Sequence, residues 1–160
     1  MTALKTNECR IVVDAQVFVP AMAHSEEESR IYALLLRKCC KVVVSTHITD
    51  EYQSVMTKFG YSGTPVLMEL NRLATMNKLR ECNHPPPDDI PEELAPRKDR
   101  HIIAPCMSGY ANYIISTDRG IQERREEIHR RTGARVLDLD QAEREFGSRD
   151  NCRPDTAGER

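Results

Sequence analysis

The chain predicts an α/β fold, a three-layer sandwich around a mostly parallel central sheet. Short β-branched runs (Ile11-Val12-Val13, Val42-Val43-Val44, Ile114-Ile115) alternate with stretches whose apolar residues recur at helical spacing. Parallel strands need crossover helices, so this alternation is the mark of a parallel sheet covered by helices. With 160 residues, 39% of them hydrophobic, the chain can bury one sizeable core but not two. Residues 1–146 are expected to form that domain, and the polar residues 147–160 a disordered tail.

Arg10 to Asp14 reads as a buried strand, continued by Val17-Phe18-Val19 and closed by Pro20. Ser25 followed by Glu26, Glu27 and Glu28 has the form of a helix start, and Ile31, Leu34 and Leu35 carry that helix to about Cys40. Lys41 to Val44 is the next strand. Ser45 or Thr46 then caps a helix presenting Ile48, Tyr52, Val55 and Phe59 on one face. Thr64 and Pro65 mark the cap and first residue of a further helix through Leu67, Leu70, Leu73 and Met76. Pro85-Pro86-Pro87 breaks the periodicity, so Cys82 to Lys98 reads as a surface loop. A third strand is expected at Asn112 to Ser116, a helix from Arg119 to Arg131, a fourth strand at Arg135 to Leu137 and a last helix from Gln141 to Phe146.

A net charge of -2 gives no global attraction to a polyanion, so binding to nucleic acid needs a local patch. No run approaches the roughly 20 apolar residues of a spanning helix, and the polar start before Cys9 has no leader-like pattern. Six cysteines without regular spacing read as reduced thiols. The expectation is a cytoplasmic protein with no membrane contact. No phosphate-binding or dinucleotide glycine motif is present, and Cys82 with His84 lacks the second pair that a zinc finger needs.

The informative residues are acids. Asp14 ends an apolar strand, where an unpaired carboxylate is costly to bury, although a strand-end turn would also place it there. Asp118 follows Ile114 to Thr117 in the same way and is equally a preferred N-cap. Asp99 precedes the apolar run His101 to Ala104 and has a cap as its plain alternative, and Glu51 on a helix could be no more than a solvated side chain. Together they fall at strand ends or on the helices that follow, positions that meet at one edge of a parallel sheet. Hard divalent ions favour such oxygen-rich clusters. His47 and His101 lie beside two of the acids, with helix-start or packing roles as alternatives. Arg119, Arg124, Arg125, Arg130 and Arg131 form a basic helix interrupted by Glu123, Glu126 and Glu127, which fits either phosphate contact or a salt-bridged surface.

Val12 to Val19, Ser45 to Tyr52, Lys98 to Ala104 and Ala111 to Arg119, taken in order, resemble the PIN-domain family, especially the toxin-like (VapC-type) ribonucleases of bacterial and archaeal toxin–antitoxin pairs. The resemblance spans most of the chain up to about Leu139. It implies a metal-dependent endoribonuclease in which Asp14, Glu51, Asp99 and Asp118 bind one or two Mg2+ or Mn2+ ions. Gln16, Ser116 and Thr117 would support those ligands, and Arg119 would contact RNA phosphate. The products would carry 5′-phosphate and 3′-hydroxyl ends, and the partners would be RNA, an antitoxin protein and a second copy of the chain. Two positions depart from the family pattern: Gln16 stands where Asn is common, and Gly120 where a further acid often follows. Pro105, two turns into the helix that Asp99 should start, is a helix-breaking residue. A PIN-like RNA- or protein-binding module with weak catalysis is the alternative these departures favour.

Overall fold

The computed structural model describes residues 8–37, 40–82 and 90–147. Five strands form one sheet: β1 (Cys9–Val13), β2 (Cys40–Val44), β3 (Leu79–Glu81), β4 (Tyr113–Ile115) and β5 (Arg135–Leu137). Every neighbouring pair is parallel, in the order β3-β2-β1-β4-β5. The flanking helices are α1 (Ala15–Met22), α2 (Glu26–Arg37), α3 (Thr46–Lys58), α4 (Thr64–Thr75), α5 (Arg100–Met107), α6 (Arg119–Glu123), α7 (Arg125–Thr132) and α8 (Leu139–Gly147). The α/β architecture with an all-parallel sheet is as the sequence predicts. Ile11, Val12 and Val13 are all buried, as expected of a central strand covered on both faces.

The strand order places the site. From β1 the chain winds outward through β2 to β3, then crosses back to β4 on the other side of β1 and continues to β5. The direction of winding therefore reverses between β1 and β4, and the carboxyl ends of such neighbouring strands open a crevice. Asp14 and Ser116 are the residues immediately after these two strands.

Several sequence expectations are corrected. Val17, Phe18 and Val19 belong to helix α1, and Pro20 lies inside that helix rather than closing a strand. Packing overrides the β-propensity of this segment. Phe18 is buried, stacked on Tyr52 at 4.0 Å between ring centroids and meeting Tyr32 edge-on at 5.6 Å. Helix α3 starts as expected, with the Ile48 amide donating to Ser45 Oγ at 3.1 Å, but Phe59 lies past its end and is exposed. The cap of α4 is Gly63, so Thr64 and Pro65 are its first two residues; the buried face is Val66, Leu70 and Leu73, while Leu67 and Met76 are exposed.

The expected loop from Cys82 is not purely superficial, since Cys82, Ile90, Leu94 and Ala95 are buried; His84 and the three prolines fall outside the described residues. Strand β3, which precedes it, has no counterpart among the expected elements, and the expected third and fourth strands are β4 and β5. The expected single helix from Arg119 to Arg131 is two, broken at Arg124. The expected helix end near Cys40 falls instead within β2, and Gly147, the first residue of the expected tail 147–160, belongs to α8, while residues 148–160 lie outside the described residues.

Candidate functional site

Asp14 ends β1 and precedes α1, and it is buried. Its Oδ2 accepts from the hydroxyl of Ser116 at 2.6 Å, a bond that ties the ends of β1 and β4 together. The Asp118 amide in turn donates to Ser116 Oγ at 3.0 Å, so one buried hydroxyl positions both acids. Asp118 is also the N-cap of α6, its Oδ2 accepting from the Ile121 amide at 3.0 Å. The cap and site readings of this residue are thus compatible, because Oδ1 remains to meet Lys98 at 3.4 Å. Asp99 closes a short 3-10 turn, Arg97–Asp99, ahead of α5; it is buried, and its side chain makes no cap hydrogen bond. Pro105 is accommodated inside the eight-residue α5, which ends at Met107.

The three aspartates also act on one another electrostatically. Burial pushes the Asp14 carboxyl above its ordinary value; the Ser116 hydroxyl opposes this, and the charge of Asp118 adds to it. Burial likewise raises Asp99, with Asp118 and Asp14 adding to the rise and Lys98 opposing it. Asp118 is held below the usual range: burial pushes it up but is outweighed by the Ile121 amide, by Lys98 and by hydrogen bonding with Asp99. The Lys98 ammonium lies 3.2 Å from Asp99 Oδ2 and 3.4 Å from Asp118 Oδ1, a single cation between two carboxylates.

Glu51 lies on α3. Its neighbour Tyr52 is fully buried and donates its hydroxyl to the Val13 carbonyl, fixing α3 against the end of β1 beside Asp14. Glu51 lines a cleft of ≈ 390 Å³ with His47, Asp50, Ser54, Arg97, Lys98 and His101. Lys98 is therefore common to the cleft and to the aspartate pair. Gln16, Thr117 and Arg119 are exposed on the residues directly after Asp14 and around Asp118. In the basic helical segment, Glu127 pairs with Arg130 and Arg131, which is the salt-bridged reading of that surface.

Gly120 has a packing reason for its lack of a side chain. A Cβ there would lie 3.1 Å from Asp118 Oδ2 and 3.2 Å from Pro96 Cγ, tighter than ordinary contact. Arg124 lies beside it, donating to the Gly120 carbonyl at 2.9 Å. Lys98 and Arg97 are the neighbours to which the sequence assigns no role, whereas Arg124 is among the arginines of the expected basic helix. The one signal for Lys98 was its adjacency to Asp99.

The donor set suits a hard divalent cation: carboxylate oxygens, two of them on buried groups that burial and mutual repulsion hold above their ordinary pKa. The ammonium of Lys98 already stands in for a cation between Asp99 and Asp118. With the side chains so placed, no group of three or more His, Cys, Asp or Glu among the described residues is arranged to hold an ion.

Fold and site together define an α/β domain with an acidic crevice at the carboxyl end of a parallel sheet. The PIN domain family model matches residues 10–120, and the chain belongs to that family. PIN domains are generally nucleases and usually use divalent metal ions. No curated protein matches the chain. Among the described residues no helix is long and apolar enough to cross a membrane.

Proposed function

We propose that the chain is a Mg2+- or Mn2+-dependent endoribonuclease, the cytoplasmic toxin of a toxin–antitoxin pair, acting as a homodimer until an antitoxin binds it. The observation that supports this reading most is the grouping of Asp14, Asp99 and Asp118 at the point where the sheet reverses its winding. Asp14, Asp99 and Asp118 would hold the ion, with Glu51 completing the set from across the cleft. When bound, the ion supplies Lewis-acid activation of water and offsets charge on the phosphodiester.

The chain's own residues do the rest. Ser116 orients Asp14 and Asp118 by its paired hydrogen bonds. Positioning of this kind by neighbours of a metal ligand is typically worth about 10- to 100-fold in affinity or activity. Arg97 and Lys98 in the cleft, with Arg119 at the start of α6, supply positive charge for RNA phosphates in a chain with none to spare overall. Gln16, exposed two residues after Asp14, is placed to tune the site through its amide rather than through charge.

The test is cleavage of a single-stranded RNA with Mn2+, comparing the parent with Asp14→Asn and Asp118→Asn. Each amide keeps the shape and loses the anionic ligand. A loss of several kcal/mol of transition-state stabilisation corresponds to roughly a thousandfold drop in rate. Unchanged cleavage in either variant sinks the assignment of the site. A parent with no cleavage, yet with RNA binding, favours the alternative of a PIN-like binding module.

A further inference from the structure

Lys98 combines features that an ordinary surface lysine lacks. Its ammonium sits between Oδ2 of Asp99 and Oδ1 of Asp118, at 3.2 and 3.4 Å, although its side chain is 72% exposed. Both acids are partly or largely withdrawn from water, and Asp99 also feels the charge of Asp118. Only Lys98 is within ion-pair distance of this aspartate pair among the described residues. The lysine rides on the 3-10 turn Arg97–Asp99 and lines the ≈ 390 Å³ cleft, which leaves its long stem a second place to go.

We propose that Lys98 is an internal counter-cation that holds Asp99 and Asp118 in the metal-free protein and competes with a divalent ion for them. The inference rests on the metal-dependent reading of the site and adds a regulator to it. The physical reason is the asymmetry of the two cations. A single ammonium reached by a flexible, exposed stem forms weak ion pairs in water, because ordering the side chain offsets much of the Coulomb gain. A divalent ion brings twice the charge and binds several oxygens at once. The ammonium therefore lowers metal affinity without preventing occupancy. It also keeps the acids from repelling one another when no metal is present, so the site stays formed while empty of metal. Displaced, the ammonium lies in the cleft beside Arg97, where it adds to the positive charge facing an RNA phosphate.

The experiment is calorimetric titration of the full chain with MnCl2, using the parent, Lys98→Met, Lys98→Arg and Asp118→Asn. Met keeps most of the stem and removes the charge, and Arg keeps the charge. The expected result is tighter Mn2+ binding in Lys98→Met by roughly three- to tenfold, the size of one or two lost exposed ion pairs. Lys98→Arg should stay near the parent and Asp118→Asn should bind more weakly. Melts in chelator give an independent check, since Lys98→Met should be less stable than the parent without metal and should recover with Mn2+. Equal or weaker Mn2+ binding in Lys98→Met, with binding intact in the parent, overturns the competition and leaves the metal site standing. An absence of Mn2+ binding in all four proteins overturns the competition and the metal reading together.

Discussion

Among the described residues, one carboxylate at the amino end of the sheet is met by three cations, whereas at the carboxyl end one cation lies between two carboxylates. Glu8, just before β1, is met by Arg80 at 2.8 Å, Arg10 at 3.4 Å and Lys41 at 3.9 Å. Burial pushes its carboxyl up, but Arg80, Arg10 and Lys41 outweigh that and leave it below its ordinary value. At the other end Asp14 and Asp99 sit above theirs, with Lys98 the cation between Asp99 and Asp118. The same strands thus carry a neutralised end, which contributes to stability, and an under-neutralised end, which works against it. Charge left unpaired in a buried crevice is a reason to look for function there.

The contrast can be broken from either end. The larger effect is expected from Asp14→Asn, melted in chelator across a pH series. A folded-state pKa raised above the unfolded 3.8 means that the fold favours the protonated form; that stability is present below pH 3.8 and lost as pH rises through the folded value. Once pH has risen through that folded value the parent has lost this stability, whereas Asn does not titrate, so the variant should melt higher than the parent there while cleaving nothing. Its advantage should shrink toward acid pH. An Asn variant that melts lower than the parent at neutral pH would show that Asp14 is a structural acid like Glu8.

The smaller effect has the opposite sign. The stability contributed by Glu8 is present above its unfolded value of 4.5 and lost as pH falls through its lowered folded value. Glu8→Gln should cost about 1 kcal/mol at neutral pH, since these pairs are partly exposed, and should flatten the acid limb of the stability profile. Cleavage should be unaffected. A variant as stable as the parent would remove the claim that this end is a structural clamp.

How much of this could be read from the residues follows from what each element needs. Strands β1, β2 and β4 are legible because a central parallel strand must be β-branched and apolar, and the edge strand β5 because Val136 and Leu137 are both apolar and buried. Strand β3 is not, because Leu79-Arg80-Glu81 has a single apolar residue and pairs only with β2 at the sheet's edge. The Val17-Phe18-Val19 run carries strand propensity and becomes helix because Tyr52 and Tyr32 receive Phe18 there. Asp14 and Asp118 were legible as acids after apolar runs. Asp99 reaches them only because the chain crosses from β3 to β4 on the far side of β1, which local pattern does not encode. A lysine beside an acid looks like solvated charge in one dimension, so the place of Lys98 had to come from three.

The most direct measurement is the shift in melting temperature on adding Mn2+ to chelator-treated protein, made in parallel on the parent, Glu8→Gln and Asp118→Asn. A ligand that binds the native state alone stabilises it by an amount that grows with the logarithm of one plus the ratio of its concentration to Kd. The account predicts the same upward shift in the parent and in Glu8→Gln, although the latter starts lower, and a lost or much reduced shift in Asp118→Asn. An equal shift in all three proteins, or none in the parent, would contradict it.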